Sequence, residues 1–117
     1  WGRDLAALFA NAAYGMASLL ATLDDIVPSE QCPIELQAAD VETLLVTWLE
    51  ELLYLGERDD VLFVHFEIER VTVQELRAVA HGGPVRGYQR NIKAVTFSGL
   101  EVVSTDEGYE TTIVFDV

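Results

Sequence analysis

The sequence has little of what many functional sites are made from. Its 117 residues include one cysteine, Cys32, and one lysine, Lys93, and 20 acidic residues outnumber 7 basic ones. A lone cysteine excludes an internal disulfide and a cysteine-rich zinc site, and it is typical of a protein of the reducing cytoplasm. The net charge of −13 argues against direct binding to RNA or DNA, because such binding depends on neutralising phosphates with Lys and Arg.

Motifs for phosphate binding and nucleophilic catalysis are lacking too. Gly82-Gly83-Pro84 does not have the spacing of a phosphate loop, and no Gly-x-Ser-x-Gly motif occurs. Cys32 stands beside Pro33 at a strand start, with no neighbouring group to activate it. The adjacent acids Asp59 and Asp60 would point about 100° apart on a helix, which indicates a solvated edge. The sequence therefore gives no support for nucleophilic catalysis.

What the sequence does have is the pattern of a single folded domain, residues 1–117, in which 50% of the residues are hydrophobic. The uncharged residues 5–23 approach the length of a membrane span. However, their large apolar side chains recur at i, i+3, i+4 and i+7, and Asn11 and Ser18 fall on the other face. This periodicity predicts an amphipathic helix, with Asp4 as its N-cap, in place of a membrane span.

The remaining chain is divided by turn residues and by changes of hydrophobic period. After the first helix, the sequence predicts a strand at 32–38 and a second helix that is capped by Asp40 and ends near Gly56. A charged turn at 57–60 follows, then a strand from Val61 onward and a strand at 73–80 that is broken by residues 81–84. Two final strands, at 92–103 and 109–117, are joined by a hairpin connection at 104–108. The order αβαββββ predicts a two-layer α+β domain, with two amphipathic helices packed on a mainly antiparallel sheet. Because the first helix begins almost at Trp1, we expect residues before Trp1 to be missing.

Four residues are candidates for a site. His65 and His81, assembled with an acid, could bind a metal, but the sequence favours two ordinary, partly exposed histidines. Lys93 is the one lysine beside six arginines; it indicates either a place that needs a compact ammonium or a surface cation of little consequence. Asp116 lies in a predicted strand, where aspartate is unfavourable, so it has either a task or a strand-end position.

The C-terminal hairpin resembles the signature end of the archease family, and the resemblance spans essentially the whole chain in order. The segments that carry it are Ile-Lys-Ala-Val-Thr-Phe from Ile92, Gly108-Tyr109, Val-Phe-Asp-Val from Val114, Trp1-Gly2 with Leu-Phe-Ala-Asn-Ala-Ala from Leu8, and Leu44-Leu45 with Trp-Leu-Glu-Glu-Leu-Leu-Tyr from Trp48. The resemblance implies a non-catalytic accessory protein that activates an RNA ligase in tRNA splicing or RNA repair, by promoting its guanylylation and multiple turnover. The ligase would be the partner; RNA would be bound only indirectly, and no membrane or DNA would be involved.

The resemblance also implies a divalent-metal site, for Ca²⁺ or Mg²⁺, to which Asp116 and Val117 contribute, and it places Lys93 on the functional surface. The resemblance implies that an N-terminal strand with an Asp-His-Thr-Ala-Asp type motif, which supplies further acidic ligands in the family, would precede Trp1 and is missing here. Ser98 stands where many members have histidine. Hard divalent cations take at least about six oxygen ligands, so we expect only weak metal binding by this chain.

Two other functions stay open at this stage. One is a chaperone-like interaction domain without a defined site, and the other, less favoured, is a small metal-dependent hydrolase that uses Asp116. An enzyme needs a second group placed to work with Asp116, and the sequence offers none. The acidic surface suits an encounter with a basic ligase, but it is equally a means of staying soluble in high salt.

Overall fold

The computed structural model describes residues 4–20, 29–59, 61–84, 94–95, 102–105, 108–111 and 115–116. Two helices and seven strands are assigned there: α1 (Leu5–Leu20), β1 (Glu30–Gln37), α2 (Val41–Asp59), β2 (Val61–Val71), β3 (Glu75–Pro84), β4 (Ala94–Val95), β5 (Val103–Thr105), β6 (Gly108–Glu110) and β7 (Phe115–Asp116). The helices pack on a three-stranded antiparallel sheet. The predicted two-layer α+β class is confirmed.

Helix α1 forms as the sequence predicts. Asp4 caps it, since its Oδ1 accepts a hydrogen bond from the Ala7 N–H at 2.8 Å. Leu8, Phe9 and the small side chains that continue their face are buried, while Asn11 is exposed. In the part of the chain that the structure describes, no helix is long and apolar enough to cross a membrane.

Helix α2 carries the centre of the core. Asp40 caps it, as predicted, by accepting the Thr43 N–H at 2.7 Å. Trp48 is fully buried, donates from Nε1 to the Phe9 carbonyl of α1 at 3.0 Å, and packs edge-on against Phe66 of β2. One side chain therefore joins both helices to the sheet.

The predicted end of α2 is wrong. The helix does not stop near Gly56 but continues to Asp59, so the expected charged turn is helical except at residue 60, which lies outside the described residues. Gly56 is buried inside the helix, where packing outweighs its low helix propensity. Arg58 then places its positive charge in the last turn, where the helix dipole favours it.

The sheet has the strand order β1-β3-β2. Along β2 the predicted alternation holds, with His65 and Glu67 exposed between half-buried Val64, Phe66 and Ile68. Strand β1 begins two residues before the predicted position and buries Ile34, while Pro33 is exposed opposite Val79. One face of the sheet therefore covers the core beneath the helices, and the other carries polar side chains.

The predicted break at residues 81–84 is also wrong, because β3 runs through all four of them to Pro84. Gly82 pairs with Phe63 on one side and Glu30 on the other. A Cβ at Gly82 would lie 2.9 Å from the Leu62 carbonyl carbon and from Phe63 Cα. This glycine permits a close approach of two backbones at a register shift, which is a strand role.

In the described residues the C-terminal strands form two antiparallel ladders, β4 with β7 and β5 with β6. This pairing agrees with the predicted hairpin, whose connection is shorter than residues 104–108; of the two predicted strands, residues 92–93, 96–101, 112–114 and 117 lie outside the described residues. Ser104 and Thr105 belong to β5, and Gly108, which has a φ of 137°, begins β6. Val102 and Tyr109 pack against the core, and helix α2 contacts β4. The ladders therefore contact the helices.

Candidate functional site

The C-terminal candidate residues belong to the β4–β7 ladder or stand beside it in the sequence. Asp116 of β7 pairs with Ala94 of β4, and Phe115 pairs with Val95. Lys93, which precedes Ala94 in the sequence, and Val117, which follows Asp116, lie outside the described residues. The antiparallel register brings together the two segments that the sequence analysis singled out, while the roles of Lys93, Asp116 and Val117 stay predictions.

The N-terminus of α2 is linked to this C-terminal region. Glu42, in the first turn, accepts the backbone N–H of Val102 through Oε1 at 3.2 Å. At Asp40, two residues before Glu42, the carboxylate is hydrogen-bonded by the side chain and the backbone N–H of Thr43. These hydrogen bonds lower the pKa of Asp40. The N-terminal end of α2, which Asp40 stabilises, is therefore the end that is hydrogen-bonded to Val102, the residue before β5.

A second group of polar side chains lies on the outer face of the sheet. His65 and His81 are opposite each other in the β2–β3 register, with ring centroids 5.4 Å apart. Oε1 of Glu67 is 3.2 Å from Nε2 of His81. The sequence predicts that this strand ends at Ala80 and that His81 lies in a turn, so it does not indicate this proximity. The alternation of Arg77, Val79 and His81 is a signal for the face of the strand on which His81 lies, but not for its pairing with His65.

The same face carries two exposed ion pairs. Arg77 Nε is 2.8 Å from Glu35 Oε1, and Arg70 Nε is 3.4 Å from Glu75 Oε1. Exposed pairs of this kind contribute about 0–1 kcal/mol to stability. They balance charge across the strands and leave the His65–His81–Glu67 group as the chemically distinctive feature of the face.

Cys32 of β1 is half-buried, and burial raises the pKa of its thiol. A thiol that stays protonated is a poor nucleophile, which agrees with the sequence-based exclusion of cysteine catalysis. Over the described ranges, from Asp4 to Asp116 with their gaps, no three side chains among His, Cys, Asp and Glu are arranged to hold a metal ion as they stand.

Comparison with known proteins assigns the chain to a family. The model described as "Archease protein family (MTH1598/TM1083)" matches residues 1–117. The chain is 32% identical to "Protein archease" of Methanosarcina mazei over 125 residues, covering 100% of this chain and 86% of that protein. It is 31% identical to "Protein archease" of Methanopyrus kandleri over 124 residues, covering 100% of this chain and 89% of that protein.

A solved structure agrees. The solution structure of Methanobacterium thermoautotrophicum protein 1598 superposes with a TM-score of 0.77 at 26% identity, covering 99% of this chain and 87% of that one. With a family model that matches every residue and relatives above 30% identity along the whole chain, this protein belongs to the archease family.

Proposed function

We propose that this archease is a non-catalytic accessory protein that activates an RNA ligase of the tRNA-splicing or RNA-repair type, in the cytoplasm, by promoting guanylylation and multiple turnover of the ligase. Family membership supports the accessory role. The observation that carries the residue assignment is the β4–β7 register, in which Ala94 pairs with Asp116. Lys93 directly precedes Ala94 in the sequence, so one candidate residue belongs to this ladder and the other is next to it along the chain.

The charge of the chain favours a protein partner over RNA. At a net charge of −13 the protein repels a phosphate backbone, so RNA would be contacted only through the ligase. A basic ligase would be attracted, which mainly raises the rate of encounter and fixes orientation. In this scheme the acidic protein supplies a docking surface, and Lys93 supplies an isolated positive charge within it.

A divalent ion such as Ca²⁺ or Mg²⁺ fits the proposal only in part. These ions prefer carboxylate, carbonyl and water oxygens, and Asp116 and Val117 would provide such ligands at the end of β7. Among the described residues, no group of three or more His, Cys, Asp and Glu side chains is arranged to hold a metal ion. The residues therefore fit a hard cation as contributors of one or two ligands, not as a complete cage, and weak binding is proposed for this chain.

The test is RNA joining under multiple turnover, with the cognate ligase limiting and this protein added. Wild-type protein should raise turnover and should show no ligation or hydrolysis alone. Lys93→Ala and Asp116→Ala should each reduce the stimulation, and Lys93→Arg should also reduce it if a compact ammonium is needed. Arg77→Ala is the matched control, because it removes an exposed cation from the outer face of the sheet.

The outcomes separate the alternatives. Full stimulation by Lys93→Ala and Asp116→Ala, with folds verified by circular dichroism, would favour an interaction domain without a defined site. Hydrolysis by the protein alone that Asp116→Ala abolishes would favour the metal-dependent hydrolase. Absence of stimulation by the wild type with its own ligase would contradict the proposal as a whole.

A further inference from the structure

The outer face of the sheet holds a cluster that the proposed function does not use: His65, Glu67 and His81. It lies on the face opposite the helices, which also carry the C-terminal ladders. Its residues come from the two neighbouring strands with the longest ladder in the molecule, so their backbones are fixed relative to each other. A site built on paired strands is held more precisely than one on a loop.

The surroundings of the His81 Nε2 atom are unusual for a histidine that has only a structural role. It is inaccessible to solvent and has no hydrogen bond, although Glu67 Oε1 is 3.2 Å away. The distance meets the limit for an ion pair, but the direction of approach is not that of a hydrogen bond, so the nitrogen has no aligned partner. Buried polar atoms without a partner are rare in native proteins, and a bound ion is one of the few physical explanations.

Two pairwise distances within the group are those expected of ligands that share one ion, although the three side chains are not arranged around one point. Zinc binds imidazole nitrogen and carboxylate oxygen at about 2.0–2.2 Å with tetrahedral angles, which puts two such ligand atoms roughly 3.3 Å apart. Nε2 of His81 and Oε1 of Glu67 are 3.2 Å apart. Two imidazole rings on one tetrahedral ion have centroids roughly 5 Å apart by the same geometry, and those of His65 and His81 are 5.4 Å apart.

We propose that His65, His81 and Glu67 form a binding site for a divalent transition metal of the zinc type. Imidazole ligands select such metals over Ca²⁺ and Mg²⁺, which prefer oxygen. The three side chains do not converge on one point as they stand. His65 is exposed, however, and the Glu67 side chain is 57% exposed, so both can change rotamer and close on an ion beside the fixed His81 ring. The net charge of −13 attracts cations to the surface.

The experiment is a Zn²⁺ titration of the full chain in competition with a chromogenic chelator. The wild type should bind one equivalent, and His65→Gln and His81→Gln should each lower the affinity at least about tenfold, because each removes a ligand. Glu67→Gln should lower it roughly tenfold. Glu69→Gln is the matched control: it removes the same charge from an exposed position two residues along β2, and it should bind as the wild type does.

Two further measurements separate this site from the one proposed at β7. Excess Mg²⁺ should not displace Zn²⁺, and Asp116→Ala should leave the zinc affinity unchanged. Zn²⁺ should also shift the ring signals of both histidines in ¹H–¹⁵N spectra. The proposal is overturned if the wild type binds no stoichiometric Zn²⁺, if the histidine variants bind it as well as the wild type, if Glu69→Gln weakens binding as much as Glu67→Gln, or if Asp116→Ala abolishes binding.

Discussion

The three-stranded sheet and the C-terminal ladders have different roles in the molecule. Strands β2 and β3 have 11 and 10 residues and cover a core centred on α2. The β4–β7 ladder, described at Ala94–Val95 and Phe115–Asp116, contacts α2 through β4 and contains the aspartate that is expected to act on a partner. The difference teaches that substitutions in the first region should act on stability, whereas a substitution at Asp116 should act on the proposed function.

The largest effect should come from Trp48, which connects α1, α2 and β2. Trp48→Ala leaves a cavity and removes the donor to the Phe9 carbonyl, so we expect a loss of about 3–5 kcal/mol in the free energy of unfolding. Urea denaturation followed by circular dichroism measures it. Tyr54→Ala, at an exposed position on the same helix, should change stability by less than about 0.5 kcal/mol. Equal losses in the two variants would contradict the assignment of the core.

The second effect distinguishes two glycines. Gly82→Ala introduces a Cβ against the Leu62 and Phe63 backbones and should cost about 1–3 kcal/mol. Gly15→Ala adds a methyl group to an exposed face of α1, where it meets no atom within 4 Å, and should stabilise by about 0.5–1 kcal/mol. Thermal denaturation of both variants should therefore give shifts of opposite sign. A neutral Gly82→Ala variant would show that β2 and β3 are not so close.

A smaller, local effect should test the contact between α2 and the C-terminal region. Glu42→Ala removes the acceptor of the Val102 N–H, which should raise hydrogen exchange at that amide about fivefold, equivalent to roughly 1 kcal/mol. Amides of β2 and β3 should exchange as before. Glu42→Gln keeps an acceptor oxygen and serves as the control. Unchanged exchange at Val102 in the alanine variant would remove this link between α2 and the C-terminal region.

The smallest effect is a pH dependence at the α2 cap. The hydrogen bonds from Thr43 lower the pKa of Asp40 below its ordinary value of 3.8 in the folded protein. The contribution of Asp40 to stability is therefore complete above that value and is lost as the pH falls through the lower folded pKa. Asp40→Asn keeps a cap but does not titrate. Midpoint temperatures of the wild type and of Asp40→Asn, measured from pH 6 to pH 2, should converge at the acid end; a constant difference would contradict this.

The helices and the central strands could be predicted from the sequence because each has a clear hydrophobic period and, for the helices, a capping aspartate. The wrong predictions concern residues that can either end a helix or strand or lie inside it. The sequence pattern predicts ends of elements at Gly56 and Gly82, but the first is buried inside a helix and the second lets two strands approach. Tertiary packing decides such positions, and local propensity does not.

The candidate sites also differ in how far they could be predicted from the sequence. Asp116 could be singled out from the poor fit of aspartate to a strand and from the resemblance of the last strand to the archease signature. The proximity of His65 and His81 could not be predicted, because it depends on the β2–β3 register, including the register shift between Phe63 and His65. A shift of one residue moves a side chain to the other face of a sheet, so pairings across strands are lost once a boundary is misplaced.

Pro33 has a consequence for the behaviour of the protein at high concentration. It stands in the middle of β1, an outer strand of the described sheet, with Glu30 and Glu35 exposed along the same strand. A proline in a paired strand directs its nitrogen away from its partner, so the side of β1 that faces away from β3 in the described sheet lacks a donor at this position for an added strand. Together with the repulsion between glutamates of approaching copies, this protects the protein against edge-to-edge aggregation.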